Sequence, residues 1–357
     1  MSNYSKIIEE DCAHIIKRVG SSLDCLKNKS LLITGANGFL CSYFVDVINK
    51  WNKSLEPSNR CFVHAIDNFS SSKKTRLKHL INENEIKFYN TDVSKSVNIN
   101  DVDYIIHGAS IASPSIYRIY PLETLDANVA GTRNVLKLAI LKKVTNVVIM
   151  SSSEVYGDPD NNNIPTNEQY NGNVSCEGPR ACYDESKRIA ETLAYVYKTK
   201  YKLAVNTIRP FNVFGPGQNL DDKRLVPDCI KSVLNNSDIE IFSDGKSTRS
   251  FCYVSDAVSA ILLLLLKQPK EFLAFNVGND EIEITMKELA DLVLEVGKRV
   301  IKSNTNKVIF KKSFDVHYNT DSPKRRSPDL SRIKSTITWN PIVSLEKGIE
   351  RTIKSYL

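Results

Sequence analysis

Short apolar runs alternate with stretches of helical periodicity between Leu31 and Ile208. Leu31-Leu32-Ile33 ends in a glycine-rich turn, and Phe39, Tyr43, Phe44, Val47 and Ile48 then recur at the spacing of a helix face. Further runs at Cys61–Ile66, Ile86–Tyr89, Tyr104–His107, Asn146–Met150 and Leu203–Ile208 predict strands, and long helices are predicted over Pro121–Lys143 and Cys182–Lys200. Strand alternating with helix implies an α/β fold with a mostly parallel, doubly wound sheet. Right-handed crossovers then gather the strand ends along one edge, where ligands bind.

After Arg209 the pattern becomes irregular and richer in Pro, Gly and Asn, which predicts a smaller C-terminal substrate-binding lobe, woven back into the sheet near Phe251–Val254. The expected division is a helical extension over 1–28, a sheet domain over 29–209 rejoined by 249–278, and a lobe formed by 210–248 and 279–357. Ile8, Cys12, Ile15, Ile16 and Val19 recur at helical spacing, so the extension reads as an amphipathic helix packed on the domain. No signal-peptide core is present there, and the apolar run Ile261–Leu266 is too short to span a bilayer.

Composition narrows the picture only a little. The formal charge of +7 is spread along the chain, apart from Lys324-Arg325-Arg326. This suits an anionic small substrate, and no nucleic-acid-binding motif accompanies it. The eight cysteines show neither C-x-x-C spacing nor a His at a zinc-ligand offset, so no metal site is expected. They read as reduced, mostly buried thiols, which points to the cytoplasm.

The turn Thr34-Gly35-Ala36-Asn37-Gly38-Phe39-Leu40-Cys41 opens a helix directly after a strand. Glycines there let the backbone approach a pyrophosphate at the helix N-terminus, as in a Rossmann-type fold. Gly35, Asn37, Gly38, Phe39 and Leu40 are the expected contacts, and Cys41 stands where a third glycine is usual. Asp67 ends the second strand, where a carboxylate can accept both ribose hydroxyls and would repel a 2′-phosphate. NAD is therefore expected over NADP, although a turn carboxylate is the alternative for Asp67. The gap from Gly38 is longer than usual, with Asn52–Arg60 as the apparent insertion. Asn68, Asp92 with Val93, Ala109, Ser110 and Asn128 complete the expected cofactor set, Asp92 as a partner for the adenine amino group.

Tyr183 and Lys187 form Y-x-x-x-K, so they share a helix face. An ammonium beside a phenol favours phenolate and is expected to lower the tyrosine pKa. Tyr183 could then take a proton from a sugar hydroxyl as hydride leaves. Ser152, at the end of the fifth strand, is expected to hydrogen-bond the reacting oxygen.

The motifs Ala109-Ser110-Ile111-Ala112-Ser113-Pro114, Ser152-Ser153-Glu154-Val155-Tyr156-Gly157-Asp158-Pro159 and Gly178-Pro179-Arg180-Ala181-Cys182-Tyr183-Asp184-Glu185-Ser186-Lys187-Arg188 are long and specific. With Phe211–Pro216, Thr248–Phe251 and Arg326–Asp329, they make the chain from about residue 29 onward resemble the extended short-chain dehydrogenase/reductases that act on nucleotide sugars. Within that group it is most similar to the UDP-glucuronate decarboxylases. The resemblance implies oxidation at sugar C4, loss of CO2 from the β-keto acid, and re-reduction to UDP-xylose. It places Ser153, Glu154 and Arg249 near C5 and C6, with Arg249 alternatively on the phosphates. Asn212, Arg224 and Arg326 would hold the diphosphate, and Ser113 and Tyr117 would border the sugar, unless Tyr117 merely packs in the core. The 4,6-dehydratases carry Asp-Glu where this chain has Ser153-Glu154, and the 4-epimerases usually lack the Glu. Those two activities, and a non-catalytic NAD-binding scaffold, are the alternatives. The resemblance also implies a homodimer joined through a four-helix bundle of the Pro121–Lys143 and Cys182–Lys200 helices. Ile111 (commonly Pro in the decarboxylases), Cys41, the extension and the insertion depart from the pattern.

Overall fold

The computed structural model describes residues 3–70, 76–302, 307–312 and 323–357. Seven strands form the central sheet: β1 Ser30–Thr34, β2 Phe62–Asp67, β3 Ile86–Asn90, β4 Tyr104–His107, β5 Asn146–Met150, β6 Val205–Pro210 and β7 Ala274–Val277. Their order is β7-β6-β5-β4-β1-β2-β3, and every neighbouring pair is parallel. β1, β4 and β5 are buried along their whole length, which is why they read as unbroken apolar runs.

Alternate residues of these strands feed two cores. Ile33, Ile106, Val148 and Ile208 face the Phe39–Asn52 and Val254–Lys267 helices, within a core that also takes Ile8, Cys12, Ile15 and Val19 of the Asn3–Val19 helix. Leu32, Ile105, Val147 and Val205 face the other way, with Val135, Leu136 and Ala139 of the Thr132–Leu141 helix and Ala194 of the Ala181–Tyr201 helix. Because β1 lies between β2 and β4, the winding reverses there, and a crevice opens beyond the carboxyl ends of β1 and β4.

The N-terminal segment is part of this core rather than an appendage. Asp11 is buried on the Asn3–Val19 helix, where its carboxylate accepts from Tyr253 Oη at 2.8 Å and Arg351 Nη2 at 2.7 Å. The stretch from Pro121 forms α-helix over Pro121–Asp126, a π turn over Ala127–Gly131 and α-helix again over Thr132–Leu141.

One expected connection differs. Cys252–Tyr253 does not join the central sheet but pairs with Val213–Phe214 in a two-stranded ribbon. The return to the sheet is β7, beside β6. Val254 already begins a helix that is apolar on every side, so the pattern there cannot separate a strand from the helix that follows it.

The lobe over the crevice is built from the Leu225–Leu234 and Met286–Ile301 helices and a small sheet of Glu283–Thr285, Thr248–Ser250 and Arg325–Arg326. Thr285 and Glu288 start the Met286–Ile301 helix with a reciprocal capping box. All eight cysteines are free; five are buried, Cys182 is half-buried, and Cys25 and Cys176 are exposed. Among the described residues no helix is long and apolar enough to cross a membrane.

Candidate active site

A single cavity of about 1670 Å³ runs along the crevice beneath the lobe. Its lining includes Gly35, Asn37, Gly38, Phe39, Leu40, Asp67, Asn68, Asp92, Val93, Ala109 and Ser110 at one end. Ser152, Ser153, Glu154, Tyr183, Lys187, Ser113, Tyr117, Asn212, Arg224, Arg249 and Arg326 line the rest.

Asn128 is the exception. It lies in the π turn, is 1% exposed, and donates through Nδ2 to Ser186 Oγ at 2.8 Å. The turn directs it toward the Ala181–Tyr201 helix, so it braces that helix and is absent from the cavity lining.

The dinucleotide end is a backbone construction. Gly35 has φ +68°, and a Cβ there would lie 2.8 Å from Ala109 N and Cα. Only glycine lets this turn sit against the loop after β4. Gly38 N-caps the Phe39–Asn52 helix, whose first turn presents free N–H groups of the kind that bind phosphate. Asp67 accepts from Asn37 N at 2.9 Å through one oxygen and from Phe69 N at 2.8 Å through the other, which fixes the carboxylate and leaves lone pairs for a diol. Arg76 N donates to Asn37 Oδ1 at 2.8 Å, tying the segment after β2 back to the loop. A cradle that a Cβ would fill, a helix N-terminus and a fixed acceptor fit a dinucleotide.

Cys41 departs from the usual third glycine without disturbing this geometry. A Cβ on Gly108 would lie 2.2 Å from Cys41 Sγ. The sulfur occupies the space that the facing strand end leaves empty. Burial pushes the thiol up to about 12, so it is an inert packing group.

At the reacting end, Ser152 closes β5 and caps the short turn Ser153–Tyr156, its Oγ accepting from Glu154 N at 3.2 Å. It also shares a hydrogen bond with the Tyr183 hydroxyl. Lys187, one helical turn after Tyr183, donates from Nζ to Met150 O at 2.8 Å and stands 5.6 Å from the Tyr183 ring centroid. The expected lowering of the phenol is not found in the protein alone. Burial pushes Tyr183 up to about 12, against the easing effect of Ser152, and pushes the Lys187 ammonium down to about 8. Desolvation outweighs the helical pairing because both groups are enclosed before any cation joins them.

The sugar end is a cluster of charge. Glu154 is ion-paired to Arg180 and to both terminal nitrogens of Arg326, with Arg326 Nη2 to Oε2 at 2.8 Å. Although burial opposes it, these two guanidinium groups hold the carboxyl well below its usual range. Arg326 was expected on the diphosphate; instead both of its Nη groups face Glu154, because the Arg325–Arg326 strand pairs with Thr248–Ser250 and carries it to the catalytic end.

Arg249 donates to the carbonyls of Thr248, Lys324 and Pro323. Burial and the neighbouring Arg326 push it down to about 9. Tyr117 stacks on Tyr183 with ring centroids 5.1 Å apart and 9° between planes, so it borders the site as well as packing. Asn212, at φ +40°, donates from Nδ2 to Ser250 O at 2.8 Å. Arg224 donates to Ala112 O at 2.8 Å and pairs with Asp222, whose carbonyl accepts from Ser113 Oγ at 3.2 Å.

Arg180 escaped assignment from sequence, although it sits in the motif that carries Tyr183. A signal was available: a cation immediately before a helix opposes the helix dipole, so another charge must hold it there.

The profile of the NAD dependent epimerase/dehydratase family matches residues 31–278. The chain belongs to this family. NAD is accordingly its cofactor, in keeping with the Gly35–Gly38 cradle and Asp67. The UDP-glucuronic acid decarboxylase 1 of Danio rerio is 36% identical over 329 residues, which span 92% of this chain and 72% of that protein. UDP-glucuronic acid decarboxylase 6 of Arabidopsis thaliana is 36% identical over 90% of this chain and 87% of its own length. Among solved structures, the UDP-glucose 4-epimerase of Thermotoga maritima with UDP-glucose superposes with a TM-score of 0.77 at 24% identity, covering 92% of this chain and 98% of that one. The dTDP-glucose 4,6-dehydratase DesIV of Streptomyces venezuelae, solved with NAD bound, gives 0.75 at 22% identity over 92% and 96%. These two likenesses show a shared fold.

Proposed function

We propose that this protein decarboxylates UDP-glucuronate to UDP-xylose. The observation that carries this reading is the set of guanidinium groups of Arg180, Arg249 and Arg326 beside Glu154, at the end of the cavity that holds Tyr183. A sugar carboxylate beside Glu154 needs cations between the two carboxylates, and these three guanidinium groups supply them. Bound NAD would supply the hydride acceptor for C4, and its positive nicotinamide would favour the phenolate of Tyr183, held by Ser152, that takes the C4 hydroxyl proton. The resulting ketone is β to the C6 carboxylate. The C5–C6 bond then breaks, CO2 leaves, and the electron pair moves onto the ketone oxygen. Protonation at C5, return of the hydride to C4 and return of the Tyr183 proton to the C4 oxygen would complete the pentose. Ser153 suits this sequence better than a dehydration, because a buried hydroxyl is a poor acid for expelling hydroxide.

The sugar and the reaction are tested together by incubating the NAD-loaded protein with UDP-glucuronate. Release of CO2 and a pentose nucleotide in the mass spectrum is the expected result. Turnover of UDP-glucose or dTDP-glucose without decarboxylation would move the assignment to an epimerase or dehydratase, and no turnover of any of the three to a scaffold.

The same reading includes a homodimer. Leu122 at 70%, Leu141 at 74%, Tyr195 at 58%, and Ile189 and Val196 at 41% exposure put large apolar groups on the outer faces of two helices that pack together. Light scattering should give twice the chain mass, and Tyr195→Glu should lower it. The eight free thiols support a reducing cytoplasmic setting.

A further inference from the structure

Arg180 immediately precedes the Ala181–Tyr201 helix, at φ −104° and ψ −18°. Its side chain is 14% exposed, ion-paired through Nη2 to Glu154, and its Nε stands 3.6 Å from Asp184 Oδ2, one turn into the helix. It therefore joins two elements: the Ser153–Tyr156 turn that carries Glu154, and the helix that carries Tyr183 three residues on. Arg326 grips Glu154 from the lobe with two nitrogens. Among the described residues, Arg249 hydrogen-bonds to the backbone carbonyls of Thr248, Lys324 and Pro323, and the carboxylates of Glu154 and Asp158 offset its charge in part.

Among the described residues, charged and titratable groups reach Glu154 from three elements. Arg180, Asp184 and Tyr183 come from one helix, Arg326 and Arg249 from the small sheet, and Tyr117 from the Pro114–Tyr117 turn. Burial and then the charge of Glu154 push Asp184 up to about 7, and its Oδ1 is buried without a hydrogen-bond partner among the described residues. Both tyrosines are neutral. Three cations thus surround one firmly ionised carboxylate and one that is half-titrated near neutrality.

We infer that Arg180 is a specificity and positioning residue: it masks the Glu154 carboxylate so that a second carboxylate, on the sugar, can be held beside it, and it locks the Glu154 turn to the helix that presents Tyr183. The inference rests on the reading that the substrate carries a uronate. Two carboxylates sharing a site repel unless cations lie between them. Arg326 and Arg249 face Glu154 from the small sheet of the lobe, whereas Arg180 comes from the start of the helix that carries Tyr183. Arg326 still pairs with Glu154 when Arg180 is changed, so the carboxylate is not left stranded.

The test compares wild type, Arg180→Met, Arg180→Gln and Arg180→Lys, all loaded with NAD and checked for an intact melting transition. Calorimetric titration with UDP-glucuronate and with UDP-glucose reads the mask directly. In Arg180→Met and Arg180→Gln the preference for UDP-glucuronate over UDP-glucose should fall about tenfold, almost wholly through weaker binding of the uronate, and Arg180→Lys should recover most of it. In turnover, KM for UDP-glucuronate should rise more than kcat falls, and the acid limb of kcat/KM should move to higher pH as Glu154 loses one of its two partners. Equal weakening toward both nucleotide sugars with an unmoved acid limb would mean a merely structural role and would overturn the inference. So would an unchanged preference. If wild type binds UDP-glucuronate but does not decarboxylate it, the proposed function fails while the binding comparison still decides the role of Arg180.

Discussion

The two ends of the cavity are made of different material. The dinucleotide end is mostly backbone: a left-handed glycine, a helix N-terminus and a carboxylate fixed by two main-chain N–H groups. The sugar end is side chain, with guanidinium groups from three separate segments converging on one glutamate. The first end recognises what relatives with the same cofactor share and is specified by short turns at the ends of neighbouring strands. The second decides which sugar is accepted and is specified only once the whole chain has folded.

That contrast can be broken most severely at Tyr183, where the two ends meet. Tyr183→Phe should lower turnover by roughly 10²–10⁴-fold, while NAD stays bound because the cradle is untouched; initial rates and the bound-cofactor ratio read the two effects separately. Glu154→Gln attacks the sugar end alone. It removes the charge partner of buried guanidinium groups, so it should cost about 3 kcal/mol of stability in a denaturant titration. In single turnover with UDP-glucuronate it should slow CO2 release more than C4 oxidation. Gly108→Ala attacks the dinucleotide end through packing: the new methyl would lie 2.2 Å from Cys41 Sγ, so a loss of roughly 1–3 kcal/mol is expected. Cys41→Gly in the same chain should return most of it, and a double-mutant cycle measures that coupling.

The most gradual effect concerns Lys187. Burial lowers its pKa from 10.5 to about 8, so the folded protein holds this proton less tightly than the unfolded chain does. The resulting penalty is full below about pH 8 and disappears as the pH rises toward 10.5. The NAD-free protein should gain up to about 1.4 kcal/mol per pH unit across that window, and Lys187→Met should flatten the gain in melting curves.

The same division explains what could be read from the sequence. Gly35 with Gly38 and Tyr183 with Lys187 sit at fixed offsets, Asp67 and Ser152 follow apolar strand runs, and all six line the cavity. The partners of Glu154 could not be announced this way: Arg326 lies 172 positions away, and only the pairing of Arg325–Arg326 with Thr248–Ser250 brings it in. The strand Ala274–Val277 was hidden because an apolar helix and an apolar ribbon run together before it. Asn128 lies in a π turn, which spacing alone does not reveal, and its side chain donates to Ser186. The phenol of Tyr183 was expected to be acidic because its charged neighbour is visible in sequence, whereas its degree of enclosure is not.

The carboxylate of Asp11 is closed by Tyr253 and, 340 positions later, by Arg351. A ribosome would make the Asn3–Val19 helix long before its clasp. At about 5–20 residues per second, the interval is roughly 20–70 s. Over that time Ile8, Cys12, Ile15 and Val19 can settle first on the Phe39–Asn52 helix and then on the Val254–Lys267 helix, while Asp11 still waits for its guanidinium.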